Sequence, residues 1–279
     1  MPLPRLVAMT TLAMLAFAGN SLLCRAALSG TTIDAASFTT IRLVSGALML
    51  ALLVHLRGGQ RGYGGSWGSA CALFVYAAGF SYAYVSLSAA TGALLLFGAV
   101  QATMIGYGLA RGERLRMAQI CGLVLALGGL LGLLLPGIAR PPLLAASTML
   151  TAGIAWGIYS LRGRGSISAI GATAGNFLRT IPIALAMSLL VHESARMDSL
   201  GITYALASGA LASGCGYAIW YAVLPSLKAS HAATVQLGVP VLAAIAGVVL
   251  LGEPLSVRLV LAALAILGGI ALVLFKGAR

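Results

Sequence analysis

Polar and aromatic side chains set inside long apolar stretches are the groups in this sequence that could do chemistry, because each is costly there without a partner or a purpose. Tyr76, Phe80 and Tyr84 recur at i, i+4 and share one helical face, with Tyr82 on another. Tyr217, Trp220 and Tyr221 cluster at i, i+3 and i+4. Gln101 and Gln236 are uncharged amides, and Gln236 stands four residues before Pro240, whose missing N–H frees a backbone carbonyl. Asn20 beside Ser21, and Trp156 with Tyr159, add similar groups. Arg42 and Arg179 are cations within apolar runs, and no Asp or Glu lies deep in any of them. These types suit recognition: aromatic walls for flat or apolar moieties, amides for ammonium or hydroxyl groups, guanidinium for a carboxylate. Bond-making is not expected. There is no pair of embedded aspartates, no His-Glu-x-x-His, and no embedded Ser with a His partner, since His192-Glu193 reads as a loop. Neither a metal nor a cofactor is expected; Cys24, Cys71, Cys121 and Cys215 read as small buried hydrophobes.

The elements that must hold these groups are set by composition. The chain of 279 residues is 60% hydrophobic and 8% charged, with a mean hydropathy of +1.03. Soluble domains are nearer a quarter charged, so most of this surface faces lipid. A span needs about 20 mainly apolar residues, and ten stretches qualify: 6–25, 37–56, 67–87, 91–110, 117–135, 142–161, 169–190, 200–222, 231–251 and 257–275. The fold class expected is all-α and integral to the membrane. No gap leaves room for a soluble domain, and Leu6 to Cys24 reads as a first span rather than a cleaved signal.

A net charge of +12 would point to nucleic acid in a soluble chain. Here the basic residues sit between spans, so nucleic acid is not expected as a partner, whereas lipid and a small-molecule substrate are. With the N-terminus in the cytoplasm, that side collects Arg5, Arg57, Arg61, Arg111, Arg114, Arg116, Arg162, Arg164, Lys228, Lys276 and Arg279. The outer side holds Arg25, Arg140, Arg196 and Arg258, with the acids Asp34, Glu193, Asp198 and Glu253. That bias predicts both termini inside.

The sequence also repeats. Ser86–Gly129 shifted by 140 residues falls without a gap on Ser226–Gly269, aligning Gly112-Glu113-Arg114-Leu115 with Gly252-Glu253-Pro254-Leu255 and Gly128-Gly129 with Gly268-Gly269. Gly79-Phe80-Ser81-Tyr82-Ala83 answers Gly214-Cys215-Gly216-Tyr217-Ala218, and Arg42 answers Arg179. Five spans separate the copies, so they cross in opposite directions. Two inverted five-helix repeats, 1–140 and 141–279, are expected, an architecture of secondary transporters with a site near the midplane. The chemistry is expected where the copies diverge, at Leu96 against Gln236 and Val100 against Pro240.

On these features the chain resembles the drug/metabolite transporter superfamily, in its ten-helix EamA-type branch. The residues that carry the likeness are the Ala18-Gly19 and Trp156-Gly157 steps of spans 1 and 6, Arg42 in span 2, and Gly-Glu-x-Leu after spans 4 and 9. Within the branch, Arg25 followed by Ser37-Phe38-Thr39-Thr40-Ile41-Arg42-Leu43 resembles the aromatic-amino-acid exporters of bacterial inner membranes. Phe17-Ala18 stands where the branch often has Trp, so contacts there are not carried over. The resemblance implies export of amino acids or similar small metabolites through a cavity lined by spans 3, 4, 8 and 9, with help from 1 and 6.

The substrate-binding residues expected are Asn20, Tyr76, Phe80, Tyr82, Tyr84, Gln101, Trp156, Tyr159, Arg179, Tyr217, Trp220, Tyr221 and Gln236. For Arg42 a structural role is preferred, donating to backbone carbonyls or snorkelling to an interface, over attraction of a substrate carboxylate; for Arg179 both readings stay open. Tyr82 and Tyr217 are expected at equivalent places around the centre. A proton-coupled multidrug or cation exporter is the alternative, and the lack of an embedded carboxylate counts against it. His231 is a membrane-proximal histidine that could relay a proton, or sit at the headgroup boundary. A passive channel is a further class, distinguished by conduction without saturation. Spans 5 and 10, nearly free of polar side chains and rich in glycine, read as scaffold or as the face of a homodimer.

Overall fold

Short polar caps at the ends of apolar runs divide the chain into helices. The structure, a computed structural model, describes residues 2–56, 63–112, 116–135, 140–163, 168–227 and 235–275. Among them there is no strand, and ten helices of 14 to 28 residues account for the fold. These are α1 (Leu3–Gly30), α2 (Ala35–Leu56), α3 (Trp67–Tyr84), α4 (Ala89–Ala110), α5 (Met117–Leu134), α6 (Leu143–Arg162), α7 (Ala169–Leu190), α8 (Ser199–Val223), α9 (Gly238–Leu251) and α10 (Val257–Phe275). Seven of them, α1, α2 and α4 to α8, are long and apolar enough to cross a membrane by length and composition. Over their described residues α9 and α10 are shorter apolar helices. The start expected for span 9, with His231, and the first-turn residues Glu113 and Arg114 lie outside the described residues.

Helix starts are fixed by side chains that accept the free N–H groups of the first turn. Ser66 accepts from Ser69 at 3.2 Å before α3, and Ser88 from Thr91 at 3.2 Å before α4. Ser168 accepts from Gly171 at 3.3 Å before α7. Both Gly-Glu turns stop their helices through a left-handed glycine, Gly112 at φ 89° and Gly252 at φ 64°, a conformation that other residues resist.

Asp34 and Asp198 do more than cap. Asp34 Oδ1 accepts from the Ala36 and Ser37 amides, each at 2.9 Å, and its Oδ2 accepts from the Arg196 amide at 2.9 Å. The Arg196 carbonyl accepts in return from the Asp34 amide at 3.0 Å. Asp198 caps α8 through Gly201 and also accepts from the Thr32 amide at 3.2 Å. The α1–α2 and α7–α8 connections are thereby clasped together. Partial burial pushes the Asp34 carboxyl up, but the hydrogen bonds from Ser37, Arg196 and Ala36 outweigh it and leave it below its ordinary value. A carboxyl depressed in the folded state adds stability that is present above its unfolded pKa of about 3.9 and lost as pH falls through the folded value. Asp34→Ala is therefore expected to cost about 1–2 kcal/mol at pH 7, read as a lower Tm. The gap from the parent should narrow as pH is lowered towards about 3; a gap that is flat across that range would contradict the assignment.

The main helix contacts come in matched sets. α3 packs on α6 as α1 packs on α8, α4 on α6 as α1 on α9, and α3 on α7 as α2 on α8, while α2–α7, α4–α9 and α5–α10 pair with each other. Each set maps onto itself when every helix is exchanged for the one five places along. The paired helices run antiparallel. A Cβ at Gly122 would meet Gly269 while one at Gly129 would meet Ala262 and Ala265, so α5 and α10 run in opposite senses. Likewise Gly46 lies against Phe177, and Thr40 donates to the Ala184 carbonyl at 3.2 Å, between α2 and α7.

α8 departs from regular geometry. Residues Ala207–Cys215 form a π-helical stretch within it, where the backbone widens to i→i+5 bonding, a feature frequent at functional sites. The run Ala-Ser-Gly-Ala-Leu-Ala-Ser-Gly-Cys allows this because its side chains are small and α2 approaches closely: a Cβ at Gly214 would come within 2.8 Å of Met49.

Candidate functional site

The apolar faces of six helical segments converge on one polar-edged chamber. Phe17, Asn20 and Ser21 reach it from α1, Tyr76 and Phe80 from α3, and Leu96 and Phe97 from α4. Trp156 comes from α6, Ala212, Ser213 and Tyr217 from α8, and Gln236 from just before α9. The void is about 30 Å³. That holds a water and falls far short of the several hundred Å³ of a pocket holding an organic ligand. The helices must part to admit a metabolite.

The walls are aromatic rings in mutual contact. Trp156 stacks on Tyr217 with centroids 5.3 Å apart and planes at 25°, and leans on Tyr76 at 4.7 Å. Tyr76 meets Phe80 at 5.5 Å, and Phe17 stands edge-on to Tyr217 at 5.8 Å. Such pairs add roughly 0.5–1.5 kcal/mol each beyond the area they bury, so the closed chamber is held by its own lining. A polar chain runs along one side: the Ser208 hydroxyl donates to Asn20 Oδ1 at 2.6 Å, Asn20 Nδ2 to the Tyr76 hydroxyl at 3.4 Å, and Arg42 Nη2 to that same hydroxyl at 3.0 Å.

The structure thus brings together Asn20, Tyr76, Phe80, Trp156, Tyr217 and Gln236 from the residues expected at the site, and with them the divergent pair Leu96 and Gln236. The others stand elsewhere. Tyr84 is fully buried but turned to α4, donating to the Ala89 carbonyl at 3.3 Å. Gln101 is buried in α4 away from the lining. Tyr159 supports the chamber from behind, 5.4 Å from Trp156, with its hydroxyl accepting from Asn176 at 3.5 Å. Trp220 backs Phe17 at 6.0 Å, and Tyr221 lies outside the lining.

Three expectations are corrected outright. Tyr82 is 44% exposed, so it is not the counterpart of the buried Tyr217. Matching the two copies residue by residue ignored the π stretch immediately before Tyr217, which rotates everything after it relative to a regular helix. Arg179 takes the structural option, since its Nη1 donates to the Gly64 and Gly175 carbonyls at 2.7 and 2.8 Å and fastens the approach to α3 onto α7. Arg42 takes neither form of the structural role that was preferred, a bond to backbone carbonyls or a reach to the interface. It is 2% exposed, reaches no backbone carbonyl among the described residues, and lies against two chamber rings, 4.8 Å from the Phe80 centroid and 5.3 Å from that of Tyr76.

Phe17, Phe97, Ala212 and Ser213 were not expected. An apolar ring in an apolar helix carries no signal of its own. Ser213 sat in a small-residue run that reads as packing, although the Ser-Gly steps at 208–209 and 213–214 fall five residues apart, the spacing of a π turn.

Known proteins agree with this architecture. Residues 143–275 match the EamA-like transporter family. The chain is 60% identical over 275 residues to an uncharacterized protein of Pseudomonas aeruginosa, covering 98% of this chain and 96% of that one. It is 28% identical over 175 residues, 60% of each chain, to YoaV of Bacillus subtilis, an uncharacterized transporter. A solved crystal structure superposes with a TM-score of 0.70 over 100% of both chains at 18% identity, a likeness of fold alone. With ten helices among the described residues, a closed aromatic chamber and a family match across the second half, residues 143–275 belong to the EamA-like transporter family and the chain is a multi-pass membrane protein.

Proposed function

We propose that the chain is a secondary transporter that exports amino acids, aromatic or other neutral ones, or similar small metabolites across the bacterial inner membrane by alternating access. The observation that carries this reading is the chamber: rings and amides from both halves of the chain meet there, and among the described residues no acidic side chain lines it. The antiparallel pairing of α2 with α7 and α5 with α10 supports two inverted units, 1–140 and 141–279, rocking about that centre. The basic residues of the connections support cytoplasmic termini. A lining without a carboxylate gives a cationic drug no counter-charge and a proton no carboxylate to ride on, which disfavours proton-coupled cation export.

Counterflow tests the proposal. Proteoliposomes preloaded with one unlabelled amino acid should accumulate a labelled one, with saturation. Tyr217→Ala and Gln236→Ala should slow that uptake roughly five- to tenfold, the loss expected for about 1–1.4 kcal/mol of stacking or hydrogen bonding, while the protein stays folded. No uptake across a panel of all twenty amino acids would end the amino-acid reading, and unsaturable current would replace it with a channel.

A further inference from the structure

In the chamber wall and against its rings stand donors that have nothing to give to. Arg42 Nη1 and Ser213 Oγ are buried without a hydrogen-bond partner. The Tyr76 hydroxyl accepts from both Asn20 and Arg42, which fills its two lone pairs and leaves its own proton unspent among the described residues. Three donors are therefore left without an acceptor; Tyr76 and Ser213 are in the chamber wall, and Arg42 stands against two of its rings, Tyr76 and Phe80.

Charge points the same way. Arginine stays protonated in proteins, and a buried cation without a counter-ion is strongly unfavourable. Contacts with the faces of Phe80 and Tyr76 offset part of that cost but supply no negative charge. Within the described chain no acid is free to serve. Glu253 pairs with Arg25 at 3.0 Å, Asp34 and Asp198 are engaged as caps, and Glu193 is exposed beyond the end of α7. Among the described residues that ion pair is the only one. Among the described residues, then, no counter-ion is on hand, and a ligand could bring one. A planar carboxylate matches a planar guanidinium better than a point charge would.

We infer that the central chamber is a carboxylate site: Arg42, Tyr76 and Ser213 together receive the carboxylate of the transported molecule, so the substrate is a carboxylate or a zwitterion and never an amine alone. This rests on the chamber being the substrate site, and it narrows the substrate class.

Matched probes separate the two claims. Thermal unfolding of the purified protein is followed with L-phenylalanine, 3-phenylpropionate and phenethylamine, and with L-alanine, propionate and ethylamine. A ligand that binds only the folded state raises Tm. Members that carry a carboxylate should stabilise, and the two amines should not. Tyr76→Phe and Ser213→Ala keep shape but remove a donor, and should each weaken the apparent affinity roughly tenfold or more, as expected for a hydrogen bond to a charged group. Arg42→Gln should abolish the response and Arg42→Lys restore part of it. Should Arg42→Gln fail to fold, the two donor deletions and the amine comparison decide the matter. The inference is overturned if an amine stabilises as well as its carboxylate partner, if no carboxylate stabilises, or if the response survives the donor deletions unchanged. Amino-acid counterflow that persists in any of those cases would leave the export reading standing while the carboxylate site falls; loss of both counterflow and stabilisation would remove the two together.

Discussion

Glu253→Ala should lower stability by about 3 kcal/mol, the low end of what breaking a buried ion pair costs, because this one side chain joins four elements. Arg25 Nε donates to Glu253 Oε1 at 3.0 Å, and the Ala89 amide at the start of α4 donates to Glu253 Oε2 at 2.8 Å. Arg25 Nη1 goes on to the Tyr84 and Val85 carbonyls at 3.0 and 3.1 Å, which terminate α3. The two side chains are 20% and 11% exposed, so water replaces little of what is lost. Space for the carboxylate is provided by Gly247, where a Cβ would come within 2.8 Å of Glu253 Oε2, and its direction by the left-handed Gly252. Glu253→Gln keeps an acceptor for the Ala89 amide and should cost less. Arg25→Ala with Glu253→Ala should cost less than the sum of the singles, because the second deletion removes the stranded charge left by the first. Thermal unfolding of the four proteins measures the coupling, and strict additivity would refute it. The pair also ties α1 to the α9–α10 turn across the two halves. Its loss should favour the form opened on that face, seen as faster labelling of Ser21→Cys by a membrane-impermeant thiol reagent in a background without the native cysteines.

This clamp shows how far the sequence could be read. The Gly-Glu turns were visible because two copies of the pattern Gly-Glu-x-Leu each end an apolar run, and the left-handed Gly112 and Gly252 explain why glycine stands there. What the glutamate does was not visible, since its partners Arg25 and Ala89 lie more than 160 residues away in sequence. Tyr76 and Phe80 were legible from helical spacing alone, because α3 is regular where they sit. Tyr82 was misplaced because residue-for-residue symmetry assumes equal helical pitch, and the π stretch of α8 breaks that equality. Gln236 was found by asking where the copies differ. Phe97 and Ser213 could not be found so, since a side chain typical of its helix carries no mark of the chamber it borders. Arg42 was seen but given a structural role because the family it resembles has an arginine there whatever the substrate, whereas its surroundings of rings and a tyrosine hydroxyl only the packing supplies.

Two adjacent glycines should respond in opposite ways to the same substitution. Gly269→Leu is expected to destabilise by about 3 kcal/mol or more, at the upper end of overpacking costs, while Gly268→Leu should stay within about 0.5 kcal/mol of the parent. Both belong to the repeated Gly-Gly pair, and the sequence gives no reason to rank them. At Gly269 a Cβ would strike the Gly122 carbonyl and lie 2.7 Å from the Ala126 amide, so α10 rests backbone-on-backbone against α5. At Gly268 nothing lies within 4 Å and the residue is exposed. The first copy repeats the asymmetry: a Cβ at Gly129 would come within 2.7 Å of Ala265, and one at Gly128 would meet nothing within 4 Å. In lipid there is little hydrophobic gain from pairing helices, so close approach of small residues supplies the packing energy instead. The second glycine of each pair makes that approach inside one chain, and the first faces outward. Thermal unfolding of the two single variants in detergent checks the contrast. Equal losses at 268 and 269 would mean that the outward face is covered as well, by a second copy of the chain. A concentration-dependent Tm for Gly268→Leu, absent for the parent's own dilution series, would exclude that explanation in favour of association newly created by the added leucine.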